Sequence, residues 1–510
     1  MGAVLSVRRA AAARPAWLRR GAVVTAALLA LAPVWLSPVL VTTDGPSHLY
    51  NAFLSAAIRA GRAPFAAYFE LTPGGVRPNQ ASGFLLGALG RTVGWEPAER
   101  VVLSLAILAT FAGLVALAAR ARAAVAGALA VAAAWVAQGW LAWMGFYDFA
   151  LSLACYAGLL LVLARPPGLL RALMVQAAFG ALYVTHFLTF AIGVALAAAV
   201  LGIRAATRRE GWREPLAVVP GVLLALIEVA GGGTGAGGLG WDHPGRQLAG
   251  LAAGDVVMSA GSWDAVAGAA ITAAALAALW QRLGDARREG IAVVSGAEWF
   301  AVALLVLSVL GPDRIGEGGF VGVRLRCLAV ITLFPAMARA LSRMSERLLA
   351  GSALVLTALL AVHAARHVRM GQAGARDLAA LDRLFTAAGA PEGAWVARRF
   401  TGYRRDAHGI APRSHLLERL ALRRRFVVLD NYEALFEIFD VSWRARPDWV
   451  TFVPADSVLT PRLIPGDVRW PGPLYLLHDR DRTIAFGDPQ LEAGPTVVGA
   501  AFAVTQLRRR

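Results

Sequence analysis

Long apolar runs dominate the first 365 positions, at about 21–41, 101–119, 123–143, 147–164, 172–186, 187–203, 216–231, 264–281, 296–311, 325–341 and 348–365. Most approach the ~20 residues that carry a helix across a bilayer core, so the pattern predicts an α-helical polytopic membrane protein of about eleven transmembrane helices. The stretch 81–93 is too short to cross and predicts a juxtamembrane helix on the outer face, which makes 42–100 one external loop.

Arginines punctuate these runs: Arg19 and Arg20, Arg120 and Arg122, Arg165 and Arg171, Arg204 to Arg213, Arg282 to Arg288, and Arg343 with Arg347. Counted through the spans they all fall on one side, as the positive-inside rule requires. Residues 1–20 are then a cytoplasmic basic segment, 21–41 an uncleaved anchor, and 21–365 the membrane domain. The C-terminus is outside.

From about 366 the pattern turns polar, and β-rich runs appear at 425–432, 449–454, 474–478 and 483–486. The predicted unit, 366–510, is a small extracytoplasmic α/β domain. Its last two runs flank Asp479-Arg480-Asp481-Arg482, a stretch that predicts a hairpin.

Composition sharpens this reading. The chain is 57% hydrophobic and only 16% charged, with a mean hydropathy of +0.57, whereas soluble domains carry about 25% charged residues. Fifty basic residues face 33 acidic ones, a net +17, and every basic residue is arginine. Without lysine there is no Schiff-base chemistry and no lysine-ending phosphate loop. Because the surplus interleaves with apolar runs, it signals topology and membrane lipids, not nucleic acid. Cys155 and Cys327 both lie inside apolar runs, which excludes a disulfide framework or a cysteine zinc site.

Chemistry-bearing residues gather where spans are expected to reach the outer face. After the first span comes Thr42-Thr43-Asp44-Gly45-Pro46-Ser47-His48: Gly45-Pro46 turns the chain into a helix, with Asp44 at or beside its N-cap. The aspartate either serves that cap alone or offers a free carboxylate. Asp148 falls in a short outer loop and reads as solvated or as a second carboxylate for a metal. His186 closes the fifth span, as a structural group or a ligand. Arg324 and Arg326 open the tenth span on the outer side against the positive-inside trend, which fits phosphate recognition or snorkelling to headgroups. Glu228, Trp241-Asp242-His243, the Gly-rich 231–238 and the runs Arg423–Arg425 and Arg508–Arg510 read as shallow, loop or solvated groups.

The external loop opening on Asp44, the helices near 47–60 and 81–93, the many spans and the C-terminal domain resemble the GT-C superfamily of multi-span glycosyltransferases. Asp44-Gly45-Pro46-Ser47-His48 and Gly145-Phe146-Tyr147-Asp148-Phe149 resemble a bacterial subgroup with an acid-x-Pro-x-His opening and a glycine-aromatic segment. The resemblance implies sugar transfer from a polyprenyl-phosphate-linked donor to a glycan, lipid or protein acceptor outside a bacterial cytoplasmic membrane. It implies Asp44 as general base, and His48, Tyr147, His186, Arg324 and Arg326 as substrate-binding residues. A divalent cation, magnesium or manganese, on Asp44 and Asp148 is a further expectation, although the paired acids of some members are absent beside Asp44. Two other readings of the pattern are a transporter or flippase for a lipid-linked or anionic substrate and a non-catalytic envelope-assembly protein.

Overall fold

The computed structural model describes residues 20–119, 121–207, 210–230, 238–259, 261–290, 294–316, 318–399, 411, 413–435, 439–445, 447–453, 458–484 and 488–510. The Gly-rich run lies outside them except for Gly238. Within the described residues the chain divides into two compact units, one of Met1–Leu36, Val76–Ala81 and Leu103–His367, the other of Ser37–Gly75, Ser82–Val102 and Val368–Arg510.

The first unit is helical, and each of the eleven predicted segments contains helix. Among the described residues six helices are long and apolar enough to cross a membrane: Trp95–Leu117, Ala123–Trp143, Phe187–Ala206, Ser262–Glu289, Val321–Leu341 and Glu346–Ala387. Arg20–Leu36, Tyr147–Leu163, Leu169–Thr185 and Gly296–Leu310 are shorter apolar helices. Together they make a multi-pass membrane protein. The alanine-rich Ala123–Ala137 and the Val321–Leu341 helix are almost wholly buried, because small residues let backbones approach closely. Hydroxyl pairs, Tyr156 with Thr332 and Ser152 with Thr189, each at 2.8 Å, tie helix Tyr147–Leu163 to Val321–Leu341 and to Phe187–Ala206. Arginines at the span ends are neutralised: Arg171 meets Glu210 and Glu214, and Arg282 and Arg339 meet Glu298.

The second unit is built on a five-stranded mixed sheet in the order Leu491–Val498, Phe502–Arg509, Leu474–Asp479, Trp395–Arg399, Val427–Val428. Helix Leu416–Arg424 lies between the last two strands in sequence, and they pair in parallel. The Gly45–Arg59 helix of the first loop belongs to this unit's core, where Tyr50, Phe53 and Leu54 cluster with Trp395, Leu416, Leu420 and Phe426. Tyr50 fixes it, donating to the Phe426 carbonyl (2.7 Å) and accepting from the Val428 amide (3.2 Å). Asn51 and Asn431 exchange hydrogen bonds, and strand Phe69–Leu71 pairs with Val441–Trp443.

One expectation is corrected. The hairpin does not form: Leu474–Asp479 has both edges taken, by Trp395–Arg399 and Phe502–Arg509, so Thr483–Ile484 pairs instead with Val458 and Leu459. Glu346–Ala387 is one helix of 42 residues, about 63 Å long and roughly twice a bilayer core, and it runs past the boundary expected at 366. Ion pairs engage four of the six arginines in the two runs: Arg423 meets Glu96, Arg424 meets Asp382, Arg425 meets Glu392 and Arg509 meets Asp448.

Candidate active site

Asp44 precedes helix Gly45–Arg59, and its carbonyl accepts from the amides of Ser47 (2.9 Å) and His48 (3.1 Å). Pro46 suits that first turn, having no amide to satisfy. The side chain makes no capping bond, so the carboxylate is not consumed by the helix start. It stands instead 3.4 Å from Nε2 of His415, with a fifth of its side-chain surface exposed.

His415 is the N-cap of helix Leu416–Arg424, and its Nδ1 lies 2.8 Å from Glu418 in that helix's first turn. Glu418 is fully buried and paired with Arg398 of strand Trp395–Arg399, whose Nε meets Asp430 at 3.0 Å. A chain of charge therefore runs Asp44, His415, Glu418, Arg398, Asp430. Burial alone would discharge the imidazole, but the Glu418 and Asp44 carboxylates together outweigh it and lift His415 above its ordinary value. In the protonated form its two N–H groups donate to Glu418 and Asp44. Burial also opposes the Glu418 charge, yet Arg398 and His415 hold its carboxyl well below the usual range. His48, on the Gly45–Arg59 helix, pairs with buried Glu433 at 3.0 Å.

Asp430 is pushed up to about 6 by burial, against the pull of Arg398 and with the Glu418 charge adding to the rise. A carboxyl raised above its ordinary ~3.9 stabilises the fold fully below that value and loses the contribution as pH rises through about 6. Thermal melts of the full chain in detergent are therefore expected to fall between pH 4 and 7 through this group. Asp430→Asn, uncharged throughout, should flatten that segment; an unchanged slope would assign it elsewhere.

In the membrane unit, His186 sits between helices Leu169–Thr185 and Phe187–Ala206, its Nδ1 accepting from the Thr189 amide. Its Nε2 lies 3.3 Å from the Arg324 guanidinium, which packs 4.9 and 5.4 Å from the ring centres of Phe146 and Phe149. The segment Val76–Ala81 braces this junction: Phe187 donates to Asn79 (3.1 Å), and Gln80 to the Val184 carbonyl (3.0 Å). Tyr147 is buried at the start of Tyr147–Leu163. Asp148 lies half-buried in that helix's first turn rather than in a loop. Arg326 is buried, with Nε on Asp255 (3.0 Å) and NH1 on Gln247 (2.8 Å). Asp242 and His243 hydrogen-bond locally at the start of helix Pro244–Ala253, and Glu228 accepts from Tyr183.

The donors around Asp44 do not make a metal centre. Its partner His415 is spent on a second carboxylate, and Arg398 supplies the positive charge a cation would bring. Among the described residues no group of three or more His, Cys, Asp or Glu is arranged to hold a metal ion. Sequence reasoning singled out Asp44 and paired it with His48 and His186; it missed His415, Glu418, Arg398 and Asp430. The available signal was His415-x-x-Glu418 at a helix start, one turn apart.

The fold, apolar helical spans with a small sheet unit, has a counterpart among solved structures. It is shared with a solved structure, ArnT from Cupriavidus metallidurans in the apo state, at 13% identity and a TM-score of 0.50 over 96% of this chain and 98% of that one. The structure of that ArnT bound to undecaprenyl phosphate has 13% identity and a TM-score of 0.47, over 95% and 97%. No family model and no curated protein matches the sequence.

Proposed function

We propose that the chain is a glycosyltransferase moving a sugar from a polyprenyl-phosphate-linked donor to an envelope glycan, lipid or protein at the outer face of a bacterial cytoplasmic membrane. The carrying observation is the Asp44 carboxylate, left free by the helix it precedes and aimed by a buried His415–Glu418–Arg398 chain. An acceptor hydroxyl is a weak nucleophile, and Asp44 takes its proton as the oxygen attacks the anomeric carbon. The bond to phosphate breaks and polyprenyl phosphate leaves, with inversion at the sugar. The fold shared with ArnT and the resemblance of the Asp44 loop to the GT-C glycosyltransferases support the donor class.

Arg324 is the group assigned to the donor phosphate, since guanidinium pairs well with phosphate and its aromatic neighbours exclude water. The test is turnover by the full chain in proteoliposomes with a panel of undecaprenyl-phosphate-linked sugars, read as release of undecaprenyl phosphate. Arg324→Ala should raise the donor KM by about 10- to 100-fold, the worth of a charge-assisted hydrogen bond. Movement of intact donor across the bilayer without release would overturn the transferase reading.

A further inference from the structure

A second feature of the sheet-bearing unit lies away from Asp44. A cavity of about 350 Å³ opens between the end of helix Gly45–Arg59, helix Ala81–Val93 and the start of Trp95–Leu117. Its floor is apolar, formed by Phe53, Ala57, Gly90 and Trp95, and its walls include Arg62 and Arg91. The floor is a built surface: Phe53 meets the Trp95 ring edge-on at 5.5 Å. Gly90 is required for this arrangement, since a Cβ there would come within 2.2 Å of the Trp95 ring.

Both arginines are exposed, and among the described residues neither is paired with a carboxylate. That sets them apart from Arg423, Arg424 and Arg425 of the same unit, all ion-paired. Two uncompensated cations beside a greasy hollow match one chemistry: an anionic headgroup carrying a hydrocarbon chain. Phe84 and Val93 are also exposed on the helix that carries Arg91. Ala60, on the cavity wall, lies sixteen residues beyond Asp44 in sequence, about 24 Å at the helical rise, so the site is separate from the proposed proton acceptor.

We propose that this cavity binds one anionic phospholipid, its phosphate between Arg62 and Arg91 and the upper part of an acyl chain on Phe53 and Trp95. The site does not depend on the transferase reading. The test is native mass spectrometry of the full chain in detergent, titrated with phosphatidylglycerol. Wild type should retain one more phosphatidylglycerol than R62A/R91A, retain no matching phosphatidylcholine, and keep its lipid in excess inorganic phosphate. Equal retention by the variant, equal retention of phosphatidylcholine, or displacement by inorganic phosphate would each overturn the proposal, the last showing a site for free phosphate. Because both arginines are exposed, circular dichroism of R62A/R91A should match wild type; if that variant unfolds, the phosphatidylcholine and phosphate arms on wild type decide the matter.

Discussion

Asp44→Asn is expected to lower sugar transfer by about 10²- to 10⁴-fold, the usual contribution of a positioned general base, while expression and melting temperature stay close to wild type. The amide keeps the shape of the carboxylate and the backbone bonds that start helix Gly45–Arg59, since those run through the carbonyl and not the side chain. Only proton acceptance and the contact with His415 are lost. Donor KM should stay near wild type, because a base acts on the acceptor hydroxyl. A variant with wild-type kcat would remove Asp44 from the reaction, whereas a large drop in melting temperature would return it to a structural part.

Arg398→Ala is expected to cost about 3–5 kcal/mol of stability in the sheet-bearing unit, the range for breaking a buried ion pair from one side. Its guanidinium is 6% exposed and serves two carboxylates, Glu418, itself fully buried, and Asp430. Truncation strands both, and Glu418 must then take up a proton or pull in water. Arg398→Ala paired with Glu418→Gln should recover part of the loss, because the fully buried anion is gone and only the partly exposed Asp430 is left unpaired. Urea unfolding followed by hydrogen exchange over 395–435 measures both variants; a loss below 1 kcal/mol for the single change would show that the site is wetter than its burial implies.

The spans were legible in the sequence because the bilayer imposes a length and an apolarity that each run must satisfy alone. Helix Ala81–Val93 followed from the same reasoning, being apolar but short. Asp44 stood out because Gly45-Pro46 marks a helix start beside an acid. What stayed hidden depends on long-range pairing. Tyr50 and Phe426 are separated by 376 positions, and no local period announces that the first loop completes the core of the tail. His415 and Glu418 read locally as the polar start of a short helix; their proximity to Asp44 exists only once strand Trp395–Arg399 and helix Gly45–Arg59 share a core. Strand Phe502–Arg509 ends in arginines that disguise it as a solvated terminus, although Arg509 reaches buried Asp448.

The shared core has a consequence for biosynthesis. A ribosome adding roughly 5–20 residues per second needs about 20–75 s to proceed from Tyr50 to Phe426. Through that interval the apolar face of Tyr50, Phe53 and Leu54 is already made while the strands that cover it are still unborn. Nascent chains must therefore be shielded or rest on lipid, and a nonsense mutation between the last span and the tail strands should yield a product cleared by proteolysis even with its spans intact.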